Sequence, residues 1–252
     1  MKVIFNADDF GLTPGVNEGI VKAHLGGVVK STTLMAGMPA EQHAVKLAKQ
    51  LPQLKIGLHL RFTAGCPLTG ERNLTDENGV FTTYRNFWKR RDYQPHAIYH
   101  EAIAQVEHFL QLGLTLSHMD SHHHAHTHPQ FAPIIYEVAK KYHVPLRAIG
   151  MAGEEEFGCR YHFTDFFYDQ RLGIEPLIAH LLELKESFDL VEVMCHPAMV
   201  DSLLEKCSGY AKQREEELRI LTSSQLIQLL VEHDIEVTDY SALNFAPIHT
   251  CV

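Results

Sequence analysis

The sequence KVIFNADDFGLTP, at residues 2–14, combines the signals that decide the fold. Its first five residues include three apolar side chains in a row and predict a strand. The carboxylates of Asp8 and Asp9 follow directly at the end of this strand. Thr13 is a typical N-cap residue, and the proline after it suits the first position of a helix. The stretch therefore predicts a strand with acidic side chains at its carboxyl end, followed by a helix.

The same alternation of strand and helix continues along the chain. Further strands are predicted at 31–35, 55–60, 114–119, 145–149, 190–195 and 235–237. Helices are predicted at 14–25, 39–51, 95–112, 129–142, 174–186 and from Ser223 to 233. This alternation predicts a mostly parallel sheet, and about seven repeats in one chain favour a barrel over an open sheet. We therefore expect a single α/β domain over residues 1–252.

Two segments of the chain lack a clear periodicity. Residues 150–170 are irregular and aromatic, and residues 61–94 contain several turn-forming glycines and prolines together with Trp88. Long connections inside compact domains are usually functional. We therefore expect residues 61–94 to form a long loop or insertion near the site.

The composition excludes several classes of protein. The chain has 252 residues, of which 45% are hydrophobic and 21% charged, as in ordinary globular domains. The formal net charge of −9 argues against a nucleic acid or an anionic membrane as a partner. The apolar run near the N-terminus is too short for a signal peptide, and no run is long enough to span a membrane. The five cysteines are odd in number and lack C-x-x-C spacing, so a reducing, cytoplasmic location is expected.

Four polar clusters lie at the carboxyl ends of predicted strands. They are Asn6–Asp9, His59, His118–His126 and Cys195–Pro197. Because the carboxyl ends of parallel strands meet at one edge of a sheet or barrel, we expect these clusters to converge in space. Six of the 11 residues from His118 onward are histidine, and an aspartate lies among them. Imidazole and carboxylate groups together are typical ligands of Zn²⁺, Mn²⁺, Fe²⁺ or Ni²⁺, whereas Mg²⁺ more usually takes oxygen ligands and water.

Several of these residues have a structural alternative to a role in chemistry. Asp8 and Asp9 either form a turn that leads into the helix, or divide two roles, one binding a metal and the other accepting a proton. His59, among apolar neighbours, suits a buried core histidine as well as a ligand. His196 follows a predicted buried strand and is a candidate acid or base. The thiol of Cys195, within an apolar run, is expected to be inert core.

Other histidines and charges have simpler interpretations. His118, on a strand, and His128, before a helix, are expected to be hydrogen-bonded core histidines. The charged run Lys212–Arg219 is expected to be the solvent-exposed face of a helix. Neither feature points to a ligand.

Four motifs, in this order and spacing, together resemble one family. N-A-D-D-F-G at 6–11, G-L-H at 57–59, H-M-D-S-H-H-H at 118–124 and E-V-M-C-H-P at 192–197 are similar to the YdjC-type carbohydrate deacetylases. The best understood member type is a chitooligosaccharide deacetylase, and the similarity covers nearly the whole chain. The resemblance implies a distorted TIM-like barrel that lacks a regular strand.

The resemblance also implies a role for each matching residue. Asp9, His59 and His122 would bind one divalent metal, Asp8 would be the catalytic base, and His196 would be the catalytic acid. The family is usually assigned Mg²⁺, although the ligand types fit Zn²⁺ or another transition metal equally well. Members of this family often form homodimers, so a homodimer is expected here.

The expected reaction is hydrolysis of an N-acetyl group from a small acetylated amino sugar, such as a chitobiose-like oligosaccharide or its phosphate. Arg147, near the end of its predicted strand, is a candidate for binding a substrate carboxylate or phosphate, with a surface ion pair as the alternative. Two other functions remain open. A metal-dependent phosphoesterase would often hold two metals about 4 Å apart. A non-catalytic metal- or carbohydrate-binding protein would have Asp8 locked in a helix cap.

Overall fold

Seven parallel strands form one sheet in the computed structural model, which describes residues 1–148 and 158–243. The strands are β1 (Lys2–Phe10), β2 (Ser31–Leu34), β3 (Lys55–Leu60), β4 (Met119–Ser121), β5 (Tyr161–Thr164), β6 (Leu190–Cys195) and β7 (Glu236–Thr238). Their order across the sheet is β4-β3-β2-β1-β6-β5, and β7 pairs with the first residues of β1.

Strand β1 lies at the centre of the sheet because its length allows three partners. One edge pairs with β6, while the other pairs with β7 at Lys2–Ile4 and with β2 from Asn6 to Phe10. Every residue of β1 after Lys2 is buried. The sheet curls into a half-barrel within a single domain. The predicted α/β fold, a distorted TIM-like barrel of about seven parallel strands, is confirmed.

Nine α-helices in the described residues connect these strands. They are α1 (Pro14–Gly26), α2 (Glu41–Ala48), α3 (Tyr84–Lys89), α4 (Pro95–Gln111), α5 (Ala132–Tyr142), α6 (Ile174–Lys185), α7 (Ser202–Cys207), α8 (Lys212–Leu221) and α9 (Ser224–Glu232). Short 3₁₀ turns occur at Arg72–Leu74, His122–Thr127, Asp169–Arg171 and Tyr240–Ala242. In the ranges 1–148 and 158–243, no helix has both the length and the apolar character needed to cross a membrane.

Side-chain caps begin two of the helices where the sequence predicts them. The hydroxyl of Thr13 accepts a hydrogen bond from the backbone N–H of Val16 at 3.2 Å, and Pro14 is the first residue of α1. The hydroxyl of Ser223 accepts from the backbone N–H of Gln225 in the same way and begins α9. Such caps satisfy backbone donors that have no partner within the helix. Both predicted helix starts are confirmed.

Three strands differ from the sequence prediction. The strand predicted at 114–119 starts later in the structure, where β4 begins only at Met119. The strand predicted at 145–149 forms a single bridge from Leu146 to Met119, and its last residue lies outside the described residues. Strand β5 falls in the segment 150–170, part of which lies outside the described residues. It has only four residues, of which the two in the middle are half-buried, so it lacks a strong apolar signal.

Residues 61–94 contain α3 and are anchored by buried side chains. Arg61 is buried and donates hydrogen bonds to backbone carbonyls on both sides of β3 in the sequence. The rings of Phe62 and Phe87 pack against Phe131, with centroids 4.8 and 4.9 Å apart. These contacts fix the segment where it leaves β3, at the carboxyl edge of the sheet.

Candidate active site

The two adjacent carboxylates at the end of β1 point in different directions. The pairing of β1 with β2 is irregular between Ala7 and Phe10, and Asp9 has a left-handed backbone conformation with φ 71°. Irregular strand pairing and left-handed non-glycine residues cluster at functional sites, where they redirect side chains. Asp8 therefore contacts Arg147, whereas Asp9 contacts His59 on β3 and His122 directly after β4.

The three predicted metal ligands Asp9, His59 and His122 lie together. Oδ1 of Asp9 is 3.0 Å from Nδ1 of His122 and 3.4 Å from Nε2 of His59. Ligand atoms about 2.1 Å from one ion are expected to lie about 3.0–3.4 Å from one another. Nε2 of His59 is buried and has no hydrogen-bond partner among the described residues. A buried nitrogen without a partner, next to a carboxylate oxygen, suits a bound cation, so these residues fit a single divalent metal.

His59 is oriented by groups from the neighbouring strands. Its Nδ1 lies 2.6 Å from Oδ1 of Asp120 and 3.1 Å from Oγ1 of Thr33. Burial lowers the pKa of His59, but the carboxylate of Asp120 outweighs burial and raises the pKa to about 10. A carboxylate on one ring nitrogen is the usual way in which a protein directs the other nitrogen toward a metal. Nε2 is therefore the nitrogen that would bind a metal, in exchange for the proton that it carries in the metal-free protein.

Only the first histidine of the run His122–His124 contacts Asp9. His123 and His124 have left-handed backbone conformations, with φ of 55° and 54°. Nδ1 of His123 instead lies 2.9 Å from the hydroxyl of Thr63, in the segment 61–94. Burial lowers the pKa of the half-buried His124 to about 4, so this ring is neutral at physiological pH.

Asp8 belongs to a buried ion network around Arg147. Nη2 and Nη1 of Arg147 donate to Oδ1 and Oδ2 of Asp8 at 2.7 and 2.8 Å. Nη2 also lies 3.0 Å from Oδ2 of Asp120, and Nε donates to Oε1 of Glu192 at 2.6 Å. Burial raises the pKa of Asp8, but the guanidinium outweighs burial and holds the pKa well below its usual range. Asp8 is therefore ionised at neutral pH.

Arg147 does not lie where its predicted role requires. The sequence suggests a substrate-binding group, or otherwise a surface ion pair. Arg147 is instead only 1% exposed, and all three of its guanidinium nitrogens contact carboxylates. It is enclosed by the carboxylates of Asp8, Asp120 and Glu192, which are far apart in the sequence, and does not face solvent where a substrate would bind.

His196 lies at the carboxyl end of β6 with a carboxylate behind it. Its backbone N–H donates to Oε2 of Glu217, which is fully buried. Nδ1 of His196 lies 3.8 Å from Oε1 of Glu217, and the hydroxyl of Tyr210 donates to that same oxygen at 2.5 Å. The His196 side chain is 12% exposed. Its charge also contributes to the low pKa of Asp8, so the two side chains belong to one site.

Arg214 and Glu217 contact the candidate site, and the sequence interpretation misses them. They lie in the run Lys212–Arg219, which is predicted to be solvent-exposed, but both are buried. Nη2 of Arg214 donates to Oδ2 of Asp9 at 2.7 Å, and its Nε donates to the carbonyl of Tyr210 at 2.7 Å. The prediction is wrong for these two residues, since the i,i+3 spacing places them on the face of α8 that packs against the site. The exposed pair Glu216 and Arg219 has the same spacing, so no local sequence signal separates Arg214 and Glu217 from their charged neighbours.

Three other residues occupy the core positions predicted for them. Nε2 of His118 lies 3.0 Å from Oδ1 of Asn6, and burial lowers the pKa of His118 well below its usual value. Nδ1 of His128 accepts from the backbone N–H of Gln130 at 3.2 Å. Cys195 is buried, and burial raises the pKa of its thiol, so it is not a nucleophile. The core interpretation of these residues is confirmed.

Comparison with known proteins agrees with the motifs and the geometry. A family model described as YdjC-like protein matches residues 2–232. The chain belongs to the YdjC-like family. A carbohydrate deacetylase from Vibrio cholerae serotype O1 is 88% identical to this YdjC-like chain over 252 residues, which is 100% of both chains. A carbohydrate deacetylase from Brevibacillus brevis is 40% identical over 250 residues, covering 96% of this chain and 100% of that relative.

A solved structure matches the whole architecture of this YdjC-like protein. It is a crystal structure from Enterococcus faecalis V583 that carries the name of a cellobiose-phosphate cleavage protein. The two share a TM-score of 0.87 and 32% sequence identity, over 96% of this chain and 98% of that one. The family resemblance predicted from the sequence motifs is confirmed.

Proposed function

We propose that this YdjC-like protein is a metal-dependent carbohydrate deacetylase, which hydrolyses the N-acetyl group of a small acetylated amino sugar. The names of its relatives support the reaction class. One observation carries the proposal: the carboxylate of Asp9 and the imidazoles of His59 and His122 converge, next to a second carboxylate, Asp8, that is held ionised.

Oδ1 of Asp9, Nε2 of His59 and Nδ1 of His122 are the atoms that would hold one divalent metal. Such an ion polarises an acetyl carbonyl and lowers the pKa of a bound water. The family resemblance favours Mg²⁺, whereas two nitrogen ligands favour Zn²⁺ or another transition metal. The choice of ion is therefore part of the experiment below.

Asp8 is the proton acceptor for the attacking water. A carboxylate offers about four acceptor positions, two on each oxygen. Oδ1 of Asp8 accepts from both Arg147 and Asn6, whereas Oδ2 accepts only from Arg147. Oδ2 is thus the oxygen that can take the proton. Asp8 is ionised at neutral pH, so this oxygen carries negative charge that can accept a proton.

His196 is the proton donor to the departing amine, which leaves poorly without a proton. The carboxylate of Glu217 lies 3.8 Å from Nδ1 and places a negative charge behind the ring. Glu217 also accepts a hydrogen bond from the backbone N–H of His196, which fixes the backbone position from which the imidazole extends. Arg147 acts on the opposite side as a positioning residue, because it fixes both oxygens of Asp8.

Aromatic side chains near the site support a sugar substrate. Tyr84 is 51% exposed and lies against His123, with ring centroids 5.1 Å apart. Tyr168 and Tyr210 stack on each other at 4.1 Å, and both lie 5.8 Å from the ring of His196. Aromatic rings with a polar tip suit a ligand that combines an apolar face with hydroxyl groups. A chitobiose-like oligosaccharide or its phosphate fits this description, and the Enterococcus faecalis neighbour is named for a phosphorylated disaccharide.

The two alternative functions have less support. A second group of possible ligands, Asp8, His59 and Asp120, lies within 4.8 Å. The guanidinium of Arg147 already contacts both of those carboxylates, so it takes the place that a second cation of a phosphoesterase would need. A non-catalytic binding protein would have Asp8 in a helix cap, but Thr13 caps α1 instead.

Acetate release from a panel of N-acetylated mono- and oligosaccharides, free and phosphorylated, tests the proposal. Chelator-treated protein is assayed with Mg²⁺, Zn²⁺, Mn²⁺ or Co²⁺ added separately. We expect acetate from at least one sugar with at least one ion, and none from the metal-free protein. Release of phosphate without acetate would support the phosphoesterase. Release of neither product with every ion would contradict an enzymatic function for these substrates.

A further inference from the structure

Arg214 is a buried cation bonded to the second oxygen of the candidate ligand Asp9. Its Nη2 lies 2.7 Å from Oδ2 of Asp9, while Oδ1 of the same carboxylate is directed toward His59 and His122. Nη1 of Arg214 is buried and has no hydrogen-bond partner among the described residues. An unpaired buried donor is unfavourable, so the contact with Asp9 must outweigh that penalty. The main role of the guanidinium in the structure is therefore its hydrogen bond to Asp9.

The backbone around Arg214 holds its helix against the site. The carbonyl of Arg214 accepts a hydrogen bond from the backbone N–H of Ala198, in the loop after β6, at 3.2 Å. Three residues later on α8, Glu217 accepts the backbone N–H of His196 from the same loop. Two contacts from adjacent positions on one helix face fix the helix relative to β6. The position of the guanidinium is consequently set before any ligand binds.

We propose that Arg214 is a positioning residue that restricts Asp9 to one-oxygen coordination and thereby selects small divalent ions over Ca²⁺. The inference rests on the metal site of the proposed function. The positive charge of Arg214 at Oδ2 opposes the approach of a second cation to that oxygen, so Asp9 presents Oδ1 to an ion. Ca²⁺ takes about six to eight oxygen ligands and often binds a carboxylate through both oxygens. Mn²⁺ and Zn²⁺ accept a single carboxylate oxygen beside imidazole nitrogens.

Calorimetric titration of the chelator-treated full chain with Mn²⁺ and with Ca²⁺, without any sugar, tests the inference. In the wild-type protein the Kd for Ca²⁺ should greatly exceed the Kd for Mn²⁺. In Arg214→Met, Asp9 can chelate through both oxygens, so the ratio of the two Kd values should fall about ten-fold or more, within the range that residues behind metal ligands produce. Arg214→Lys retains a cation beside Oδ2 and should keep the wild-type ratio.

Arg219→Met is the matched control, because Arg219 lies on the same helix but is exposed and pairs only with Glu216. Its ratio of Kd values should equal that of the wild-type protein. An unchanged ratio in a folded Arg214→Met protein would overturn the inference. Thermal unfolding of each variant establishes that the comparison is made between folded proteins.

A crystal structure of the wild-type protein with Mn²⁺ decides the same point if Arg214→Met does not fold. The inference expects Oδ1 of Asp9 on the ion and Oδ2 still bonded to Nη2 of Arg214. Coordination of Mn²⁺ by both oxygens of Asp9, or at other residues, would overturn it. These measurements involve no substrate, so their failure is distinct from failure of the deacetylase proposal. If the protein selects Mn²⁺ through Arg214 but releases no acetate, this inference stands and the proposed deacetylase function is contradicted.

Discussion

The two halves of the candidate site differ in how completely their charges are paired. Around Arg147, the nitrogens of the guanidinium contact Asp8, Asp120 and Glu192, and all four side chains are buried. Around Asp9, by contrast, Nε2 of His59 has no hydrogen-bond partner among the described residues. Fully paired buried networks are rigid, whereas a buried polar atom without a partner marks a place for a ligand. The first half is therefore suited to fixing geometry, and the second is the half for which we propose a bound cation.

Substitution of Asp8 gives the largest expected effect, because it removes the proton acceptor from the rigid half. Asp8→Asn keeps the shape of the side chain but cannot take the water's proton. Its kcat for acetate release should fall about 10²–10⁴-fold, the contribution of a positioned general base. Steady-state kinetics at saturating metal measure this loss. An Asp8→Asn protein with nearly wild-type kcat would show that Asp8 only completes the ion network.

Substitution of Arg147 tests whether that network is structural. Arg147→Met leaves three buried carboxylates without their shared cation, and uncompensated buried charge typically costs about 3–5 kcal/mol of unfolding free energy. Urea unfolding in the presence of a chelator measures the loss. Arg219→Met removes an exposed ion pair instead and should cost less than about 1 kcal/mol. Equal losses in the two variants would remove the distinction between the two halves of the site.

Substitution of the buried His118 is expected to have a smaller effect, which appears in the pH dependence of the unfolding free energy. Burial holds the pKa of His118 well below its usual value, so below about pH 6.5 the unfolded chain binds a proton that the folded protein does not. This group therefore lowers stability as the pH falls below that value. Between about pH 7.5 and 5.5, His118→Gln should lose less unfolding free energy than the wild-type protein.

Chemical denaturation at several pH values, with a chelator present, provides this comparison. The exposed His100 on α4 supplies the control, and His100→Gln should follow the wild-type pH dependence. A His118→Gln protein with the same acid sensitivity as the wild-type protein would show that His118 is not the group that titrates.

Local patterns in the sequence predict much of the fold. Strands β3 and β6 are found at their predicted bounds. Apolar residues alternate along β3 and fill every position of β6 except that of Glu192. The cap at Thr13 is likewise a signal within a few residues of the helix that it begins. No such local pattern predicts strand β5, because its position depends on pairing with β6 rather than on its own composition.

The residues of the candidate site also differ in whether the neighbouring sequence is enough to predict them. Asp9, His59 and His122 are predictable, because each lies in a motif at a strand end. Arg214 is not, since its contact with Asp9 joins residues 205 positions apart in the sequence. An arginine in a charged helix has the same local pattern whether it faces solvent or a buried carboxylate. Only the packing of α8 against the sheet separates the two cases.

The metal content of the Asp8→Asn and Asp9→Asn pair tests most directly whether the two adjacent carboxylates have separate roles. Each protein is equilibrated with Mn²⁺, freed of loosely bound ion by gel filtration, and analysed for metal per chain beside the wild-type protein. Asp8→Asn should retain one ion per chain, because its side chain contacts Arg147 rather than the ligands. Asp9→Asn should lose most of its metal, because an amide oxygen is a weaker ligand than a carboxylate. Loss of metal from Asp8→Asn together with full retention by Asp9→Asn would contradict the assignment of these two residues.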